Sequence, residues 1–154
     1  MAKEIERKFL IDTEKWGWKG TPVTMIQAYL AVLPDKVVRV RIAGDYAFLT
    51  IKGNRHGISR DEFEYSIPVN DALELLKICE YNPVEKTRYT FDFAGKKWEI
   101  DVFHGKNSGL IVAEVELQSA SEEIILPGWI MKEVSDEEKY YNFNLAMHPF
   151  SEWQ

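Results

Sequence analysis

The sequence predicts one domain dominated by β-structure, with a few helices set against it. Three observations carry that expectation. Polar and apolar residues alternate with a period of two along most of the chain. The interruptions are short and rich in Gly, Pro, Asn and Asp, which favours antiparallel hairpins over crossover helices. Helical periodicity appears in only a few places, and there is no linker, low-complexity run or internal repeat. The 154 residues amount to a single domain, 1–154, and 45% hydrophobic with 13% aromatic residues can fill a core, which excludes a disordered acidic chain.

In chain order, the alternation places eight strands at Glu4–Ile11, Val23–Leu33, Val37–Ile42, Tyr46–Lys52, Ser59–Ile67, Val84–Phe93, Lys97–Phe103 and Leu110–Gln118. Pro34-Asp35, Gly44-Asp45, Gly53-Asn54-Arg55-His56-Gly57, Gly95-Lys96 and Gly105-Lys106-Asn107-Ser108-Gly109 supply the turns. Asn70–Glu80 is expected to be a helix with Leu73, Leu76, Ile78 and Cys79 on one side and Asn70 or Asp71 as N-cap. A short turn is expected at Ser121-Glu122-Glu123. A last helix over Asp136–Met147 would bury Tyr140, Phe143, Leu145 and Met147.

Charge and cysteine content narrow the function classes. The net charge of −6 argues against a duplex-DNA surface, so no nucleic-acid partner is expected. The single Cys79 forms no internal disulfide, and no Asn-x-Ser/Thr sequon occurs. The N-terminus is charged from Lys3 and lacks an apolar leader, and no run approaches the roughly 18 apolar residues of a spanning helix. The expectation is a cytoplasmic protein without a membrane partner.

What stands out is the content of the polar parity. Side chains at i and i+2 of a strand point to the same face. One face thereby gathers Lys8, Arg39, Arg41, Lys52, Arg60, Lys86 and Arg88 with Glu4, Glu6, Glu62, Glu64, Glu99, Asp101, Glu114 and Glu116. Like charges this close are tolerable only with opposite charges or ions between them. An ordinary amphipathic sheet with a solvated charged face is the bland alternative. Three Glu-x-Glu pairs, Glu4/Glu6, Glu62/Glu64 and Glu114/Glu116, on three separate strands argue against it. Bases beside hard oxygen ligands on one sheet suit a polyphosphate and its divalent cation. If the strands close, the lumen has room for side chains and one small ligand. Helices would then have to cover an apolar outside.

These residues carry a resemblance. Glu4-Ile5-Glu6-Arg7-Lys8 is similar to the Glu-x-Glu-x-Lys signature of the CYTH superfamily, the triphosphate tunnel metalloenzymes. The match continues through Arg39-x-Arg41, Thr50-x-Lys52, Arg60-x-Glu62-x-Glu64, Glu85-Lys86-Thr87-Arg88-Tyr89, Asp101-Val102-Phe103, Glu114-Val115-Glu116 and Lys139-Tyr140-Tyr141-Asn142. Gln27-Ala28-Tyr29-Leu30 also resembles small bacterial members, which include inorganic triphosphatases.

The resemblance implies a closed eight-stranded antiparallel β-barrel with peripheral helices, a C-terminal helix and a triphosphate-binding lumen. It implies that Lys8, Arg39, Arg41, Lys52, Lys86 and Arg88, with Arg60 as a further base, bind substrate. Glu4, Glu6, Glu62, Glu64, Asp101, Glu114 and Glu116 match the acidic positions. Of these, Glu4, Glu6 and Glu116 are assigned to one Mg²⁺ or Mn²⁺ ion, and Glu64, Asp101 and Glu114 to a second. Glu99 lies outside the pattern and reads as a rim or outer charge. The implied activity is metal-assisted hydrolysis of triphosphate to diphosphate and phosphate. A class IV adenylyl cyclase, a thiamine or nucleoside triphosphatase, and a noncatalytic polyphosphate-binding module stand as alternatives. A small anionic substrate is the expected partner, and the sequence does not choose between a monomer and a homodimer.

Other residues have ordinary readings. His56, His104 and His148 show no zinc spacing and read as surface histidines, and Cys79 reads as core packing. No phosphate-cradling glycine loop is present, so side chains must bind phosphate. Tyr29 either packs in the wall or turns its hydroxyl into the lumen. Lys139 and Tyr140 are expected at the tunnel mouth.

Overall fold

The computed structural model of the chain describes residues 3–153; the ends of the expected 1–154 domain, Met1, Ala2 and Gln154, lie outside the described residues. Among the described residues there are nine strands: β1 (Lys3–Ile11), β2 (Thr21–Leu33), β3 (Lys36–Ala43), β4 (Tyr46–His56), β5 (Ser59–Ile67), β6 (Val84–Phe93), β7 (Lys96–Phe103), β8 (Ile111–Glu116) and β9 (Ile130–Glu133). The helices are α1 (Thr13–Trp16), α2 (Val69–Lys77) and α3 (Asn142–Met147).

Eight strands close a barrel in the order β5-β4-β3-β2-β6-β7-β8-β1, every pair antiparallel. β1 completes it against β5 through Lys3↔Asp61, Glu4↔Arg60 and Ile5↔Ser59. Past that seam the same edge of β1 takes up β9 through Phe9↔Glu133 and Leu10↔Lys132. The ninth strand is absent from the sequence expectation because four residues, Ile130-Met131-Lys132-Glu133, carry no readable alternation.

The barrel is inverted: its apolar parity faces out and is covered over most strands, while Ile51 of β4 and Phe63 and Tyr65 of β5 stay exposed. α2 lies on the outer face of β2, β3 and β4, where Ala28, Val40, Ala47 and Ala72 pack together. A second apolar cluster, with Phe9, Trp98, Ile100, Val115 and Leu117, is capped by Trp16 of α1 and by Trp129. Burying each such side chain contributes about 1.5–3 kcal/mol. Inside, the lumen changes character along its length. Tyr29, Val37, Val84, Phe103 and Val112 share the parity of the charged residues but gather at one end, where Val134, Tyr140, Leu145 and Ala146 seal it. The lumen is therefore charged at one end and filled with an apolar core at the other.

Four local expectations are corrected. α2 starts at Val69 behind Pro68, so Asn70 and Asp71 fall inside its first turn and neither caps it. α1, which was not expected, is nucleated by Asp12, whose Oδ1 accepts from the amides of Glu14 and Lys15, and it ends at Gly17 with φ 70°. Of the expected turn Gly53–Gly57, only Gly57 lies in the turn; Gly53–His56 belong to β4, which carries a bulge between Lys52 and Arg55. The C-terminal helix is broken: a 3₁₀ turn at Glu138–Tyr140 stops at Tyr141, extended at φ −68° and ψ 137°, before α3 begins. That break turns Tyr141 and Asn142 toward the barrel, while Lys139 sits outside over the Trp153 ring and the Tyr140 side chain enters the apolar seal. Tyr141 and Asn142, rather than Lys139 and Tyr140, thus face the lumen. The expected turn near Ser121 is present, with the Glu122 amide donating to the Ser119 carbonyl.

Candidate active site

The register of the barrel sets acids and bases in rows. Across neighbouring strands Glu4 faces Arg60, Glu6 faces Glu116, Lys8 faces Glu114, Lys52 faces Glu62, Arg88 faces Asp101 and Glu99 faces Glu114. A cavity of about 290 Å³ opens above them. Its basic lining is Arg39, Arg41, Lys52 and Arg88, and its acidic lining is Glu4, Glu6, Glu62, Glu64, Glu99, Glu114 and Glu116.

The basic wall is anchored from behind. Asp101, fully buried, accepts from Arg88 Nε at 2.7 Å on one oxygen, and from Arg88 Nη2 and Lys86 Nζ, each at 2.8 Å, on the other. Burial opposes ionisation of Asp101, but the Arg88 and Lys86 charges outweigh it and hold the carboxyl far below its usual range. Lys86 pays for that position: burial, with Arg88 and Arg41 adding to it, brings its ammonium down to about 7 despite Asp101. Arg41 donates twice to Gln27 Oε1, at 3.0 and 2.8 Å, and burial beside Arg39 and Arg88 lowers it to about 9. Arg39 donates to Thr50 Oγ1 at 3.3 Å and lies 3.6 Å from Glu64, yet its buried Nε has no acceptor among the described residues. A buried donor without an acceptor is costly, and an anion in the lumen would satisfy it.

The acidic wall is crowded with like charge. Burial raises the Glu6 carboxyl well above its ordinary value, and Glu114 and Glu4 push it further. Burial and Glu4 raise Glu62 to about 7, and burial, Glu4 and Glu99 raise Glu116. Glu4 goes the other way: burial disfavours its charge, but Lys52, with Nζ at 2.8 Å, holds it ionised. Its second oxygen, Oε1, is buried and accepts no hydrogen bond among the described residues. No group of three carboxylates stands ready as a chelating set among the described residues. The donor set nevertheless fits a divalent cation. Glu6 and Glu116 oppose each other without a base between their Cα partners, and the free Glu4 oxygen adjoins them on β1.

A match to the CYTH domain model spans residues 2–144. The chain belongs to the CYTH domain family. It is 42% identical to an inorganic triphosphatase of Acetivibrio thermocellus, covering 100% of this chain and 99% of that protein. It is 38% identical to an inorganic triphosphatase of Nitrosomonas europaea, covering 94% of this chain and 97% of that one. A crystal structure of an inorganic triphosphatase superposes with a TM-score of 0.66 at 35% identity, covering 96% of each chain.

In this CYTH domain most residues singled out in the sequence converge, at three depths. The cavity-lining acids and bases form the first. Lys86 and Asp101 lie behind Arg88, away from the cavity surface. Lys8, Arg60 and Tyr29 line a narrow neck below, where the Tyr29 hydroxyl accepts from Gln27 Nε2 at 3.2 Å while its ring joins the apolar seal. Glu99 is turned inward: it lines the cavity and accepts from Arg88 Nη1 at 3.0 Å. Three further groups take part without having been assigned a role from sequence: Gln27, Thr50 and Asn142. Asn142 Oδ1 accepts from Lys86 Nζ at 3.0 Å and Gln27 Nε2 at 3.1 Å, which fastens the C-terminal segment to the basic wall. Gln27 could have been found from its parity with Tyr29; Asn142 depends on the broken helix. The three histidines are exposed, and Cys79 is half-buried against the α2 cluster.

Proposed function

We propose that this protein hydrolyses inorganic triphosphate to diphosphate and orthophosphate in the charged end of its barrel, with Mg²⁺ or Mn²⁺ held by the acidic wall. The observation that carries the reading is the facing of Arg39, Arg41, Lys52 and Arg88 against Glu4, Glu6, Glu62 and Glu116 across one cavity of about 290 Å³. The likeness to two inorganic triphosphatases over nearly the whole chain supports it.

The bases bind and orient the chain of phosphates by charge-assisted hydrogen bonds and neutralise charge developing on the departing diphosphate. Arg88 is fixed for this by Asp101, and Arg39 offers its unsatisfied Nε. Lys8, Arg60 and Tyr29 line the neck below the substrate without admitting a phosphate, and Lys86 keeps Asp101 in place. Glu4, Glu6 and Glu116 would hold one ion, and Glu64 with Glu114 a second, Asp101 acting through its two bases. A bound cation supplies charge neutralisation at the phosphate oxygens and a more acidic water. A Glu62 carboxylate oxygen, lining the cavity 3.3 Å from Lys52 Nζ, is suited to accept the proton of the attacking water. The reading keeps the cytoplasmic setting expected from the sequence.

One observation favours a second reading: Met25, Ala43 and Phe48 form an apolar corner of the cavity that an organic group could use. A phosphate-release panel with triphosphate, ATP and thiamine triphosphate, each with magnesium, manganese or calcium, tests both. Preferential turnover of triphosphate supports the first reading, and cyclic AMP with diphosphate as products would establish the cyclase.

A further inference from the structure

The bulge in β4 has a chemical consequence at the other end of the lumen. Lys52 faces inward, so an uninterrupted strand would turn residue 55 outward. The extra residue between Lys52 and Arg55 restores Arg55 to the inner face, directly opposite Arg60. Two guanidinium groups thus stand side by side on adjacent strands, an arrangement that destabilises a sheet unless an anion intervenes.

Neither finds a carboxylate within ion-pair distance among the described residues. Arg60 donates Nε and Nη2 to the Gly53 carbonyl at 3.1 and 2.8 Å, leaving the rest of its fork unused. Arg55 makes no side-chain hydrogen bond among the described residues; its Cζ lies 4.1 Å over the Tyr141 ring. The stack orients the guanidinium plane but satisfies none of its N–H donors. Burial and the Arg55 charge both lower the Arg60 pKa, and they outweigh the opposing pull of Glu4, its partner across the β1–β5 seam, and of Glu6.

Arg55, Arg60 and Tyr141 line two spaces at once. One is the neck below the main cavity, about 30 Å³ and shared with Lys8 and Arg39. The other is a vestibule of about 400 Å³ between the β2–β3 and β4–β5 hairpins and the C-terminal segment. The neck holds about one water, too little for a phosphate, so an anion reaches the arginines from the vestibule. Of the vestibule's carboxylates, Asp35 is paired with Lys36 at 3.0 Å and Glu138 is exposed at the rim.

We propose that Arg55 and Arg60 form a second anion site, phosphate-sized, at the rear of the lumen, with Tyr141 as the platform that holds Arg55. Its ligand is a tetrahedral phosphate group, either free orthophosphate or the end of a polyphosphate longer than the lumen accommodates. The inference rests on the triphosphatase reading only for the source of that phosphate.

Calorimetric titration of orthophosphate into metal-free protein already saturated with triphosphate reads the rear site with the lumen filled. The wild type binds orthophosphate, Arg55→Gln weakens that binding at least tenfold, and Arg55→Lys retains most of it. Absence of binding by the saturated wild type, or equal binding by Arg55→Gln, overturns the site. Turnover then separates the sources. A fivefold lower tetraphosphate-to-triphosphate ratio of kcat/KM in Arg55→Gln assigns the site to a chain end; an unchanged ratio with relief of orthophosphate inhibition assigns it to the product. Failure of the wild type to bind or turn over triphosphate would count against the triphosphatase reading instead, and the same titration without triphosphate would still compare Arg55→Gln with the wild type.

Discussion

Glu6 stands directly opposite Glu116 across the β1–β8 ladder, carboxylate against carboxylate on the lumen face. Directly opposed like charges cost about 0.2–1 kcal/mol even at exposed sites. Glu116→Gln is therefore expected to stabilise the metal-free protein by about 0.5–1 kcal/mol. Magnesium should raise the Tm of the wild type, by an amount equivalent to about 2.7 kcal/mol at a hundredfold excess over Kd. Glu116→Gln should lose most of that increment. Thermal unfolding with and without chelator measures both, and an equal magnesium effect in the two proteins would remove Glu116 from the metal set.

The acidic wall also sets a pH dependence in the metal-free protein. Glu62 has its folded pKa raised to about 7 from 4.5, and Glu6 and Glu116 are raised as well. For such groups the stabilising contribution is complete below the unfolded pKa and is lost as pH rises through the folded one. Glu4, Asp101 and Glu114 are shifted down, so their contribution is lost only as pH falls below the ordinary carboxylate range. Between about pH 5 and 7 the raised group dominates, and stability should fall with pH, each proton contributing up to about 1.4 kcal/mol per pH unit. Urea denaturation across that window tests the sign. Glu62→Gln should flatten the slope, as should magnesium.

Asp101 neutralises two buried bases at once, so removing it is predicted to be the most damaging single change at the site. Asp101→Asn leaves Arg88 and Lys86 without their shared carboxylate, at a cost of about 3–5 kcal/mol. Denaturant unfolding measures this directly; a loss under 1 kcal/mol would show that the basic wall does not depend on the Asp101 anchor.

Asn142 links closure of the apolar end to the orientation of Lys86. Asn142→Ala should lower kcat/KM for triphosphate about tenfold and destabilise by about 1–2 kcal/mol, the cost of leaving Lys86 and Gln27 each short of an acceptor. Truncation before Asp136 should have a larger effect, because it also removes Tyr140, Leu145 and Ala146 from the seal. Unchanged kinetics in Asn142→Ala would separate the C-terminal segment from the reaction.

Much of this was legible in the sequence because strand parity is a local property. Glu4, Glu6 and Lys8 share a face whatever β1 pairs with, and the same holds for Arg39 with Arg41 and Glu114 with Glu116. What parity cannot show is depth. Tyr29, Val37, Val84, Phe103 and Val112 have the same parity as the charged residues, and only closure of the barrel gathers them at one end. Arg55 was hidden because Gly53 and Asn54 read as a turn, whereas in the structure they lie in a bulge that inverts the parity after Lys52. The periodicity of Tyr140, Phe143 and Leu145 fits one helix, but packing overrides it at Tyr141, whose extended backbone carries Asn142 into the lumen. β9 exists because β1 leaves half an edge free past β5, a consequence of topology rather than of composition.

The most direct measurement is phosphorus NMR of triphosphate incubated with the protein, with magnesium and then with chelator in its place. One orthophosphate and one diphosphate per triphosphate with magnesium, near-complete loss of turnover with chelator, and the same loss in a Glu4→Gln/Glu6→Gln variant are the predicted results. Triphosphate left intact with magnesium, or turnover at the parental rate in the double variant, would contradict the proposal that the two charged walls form a metal-dependent triphosphatase site.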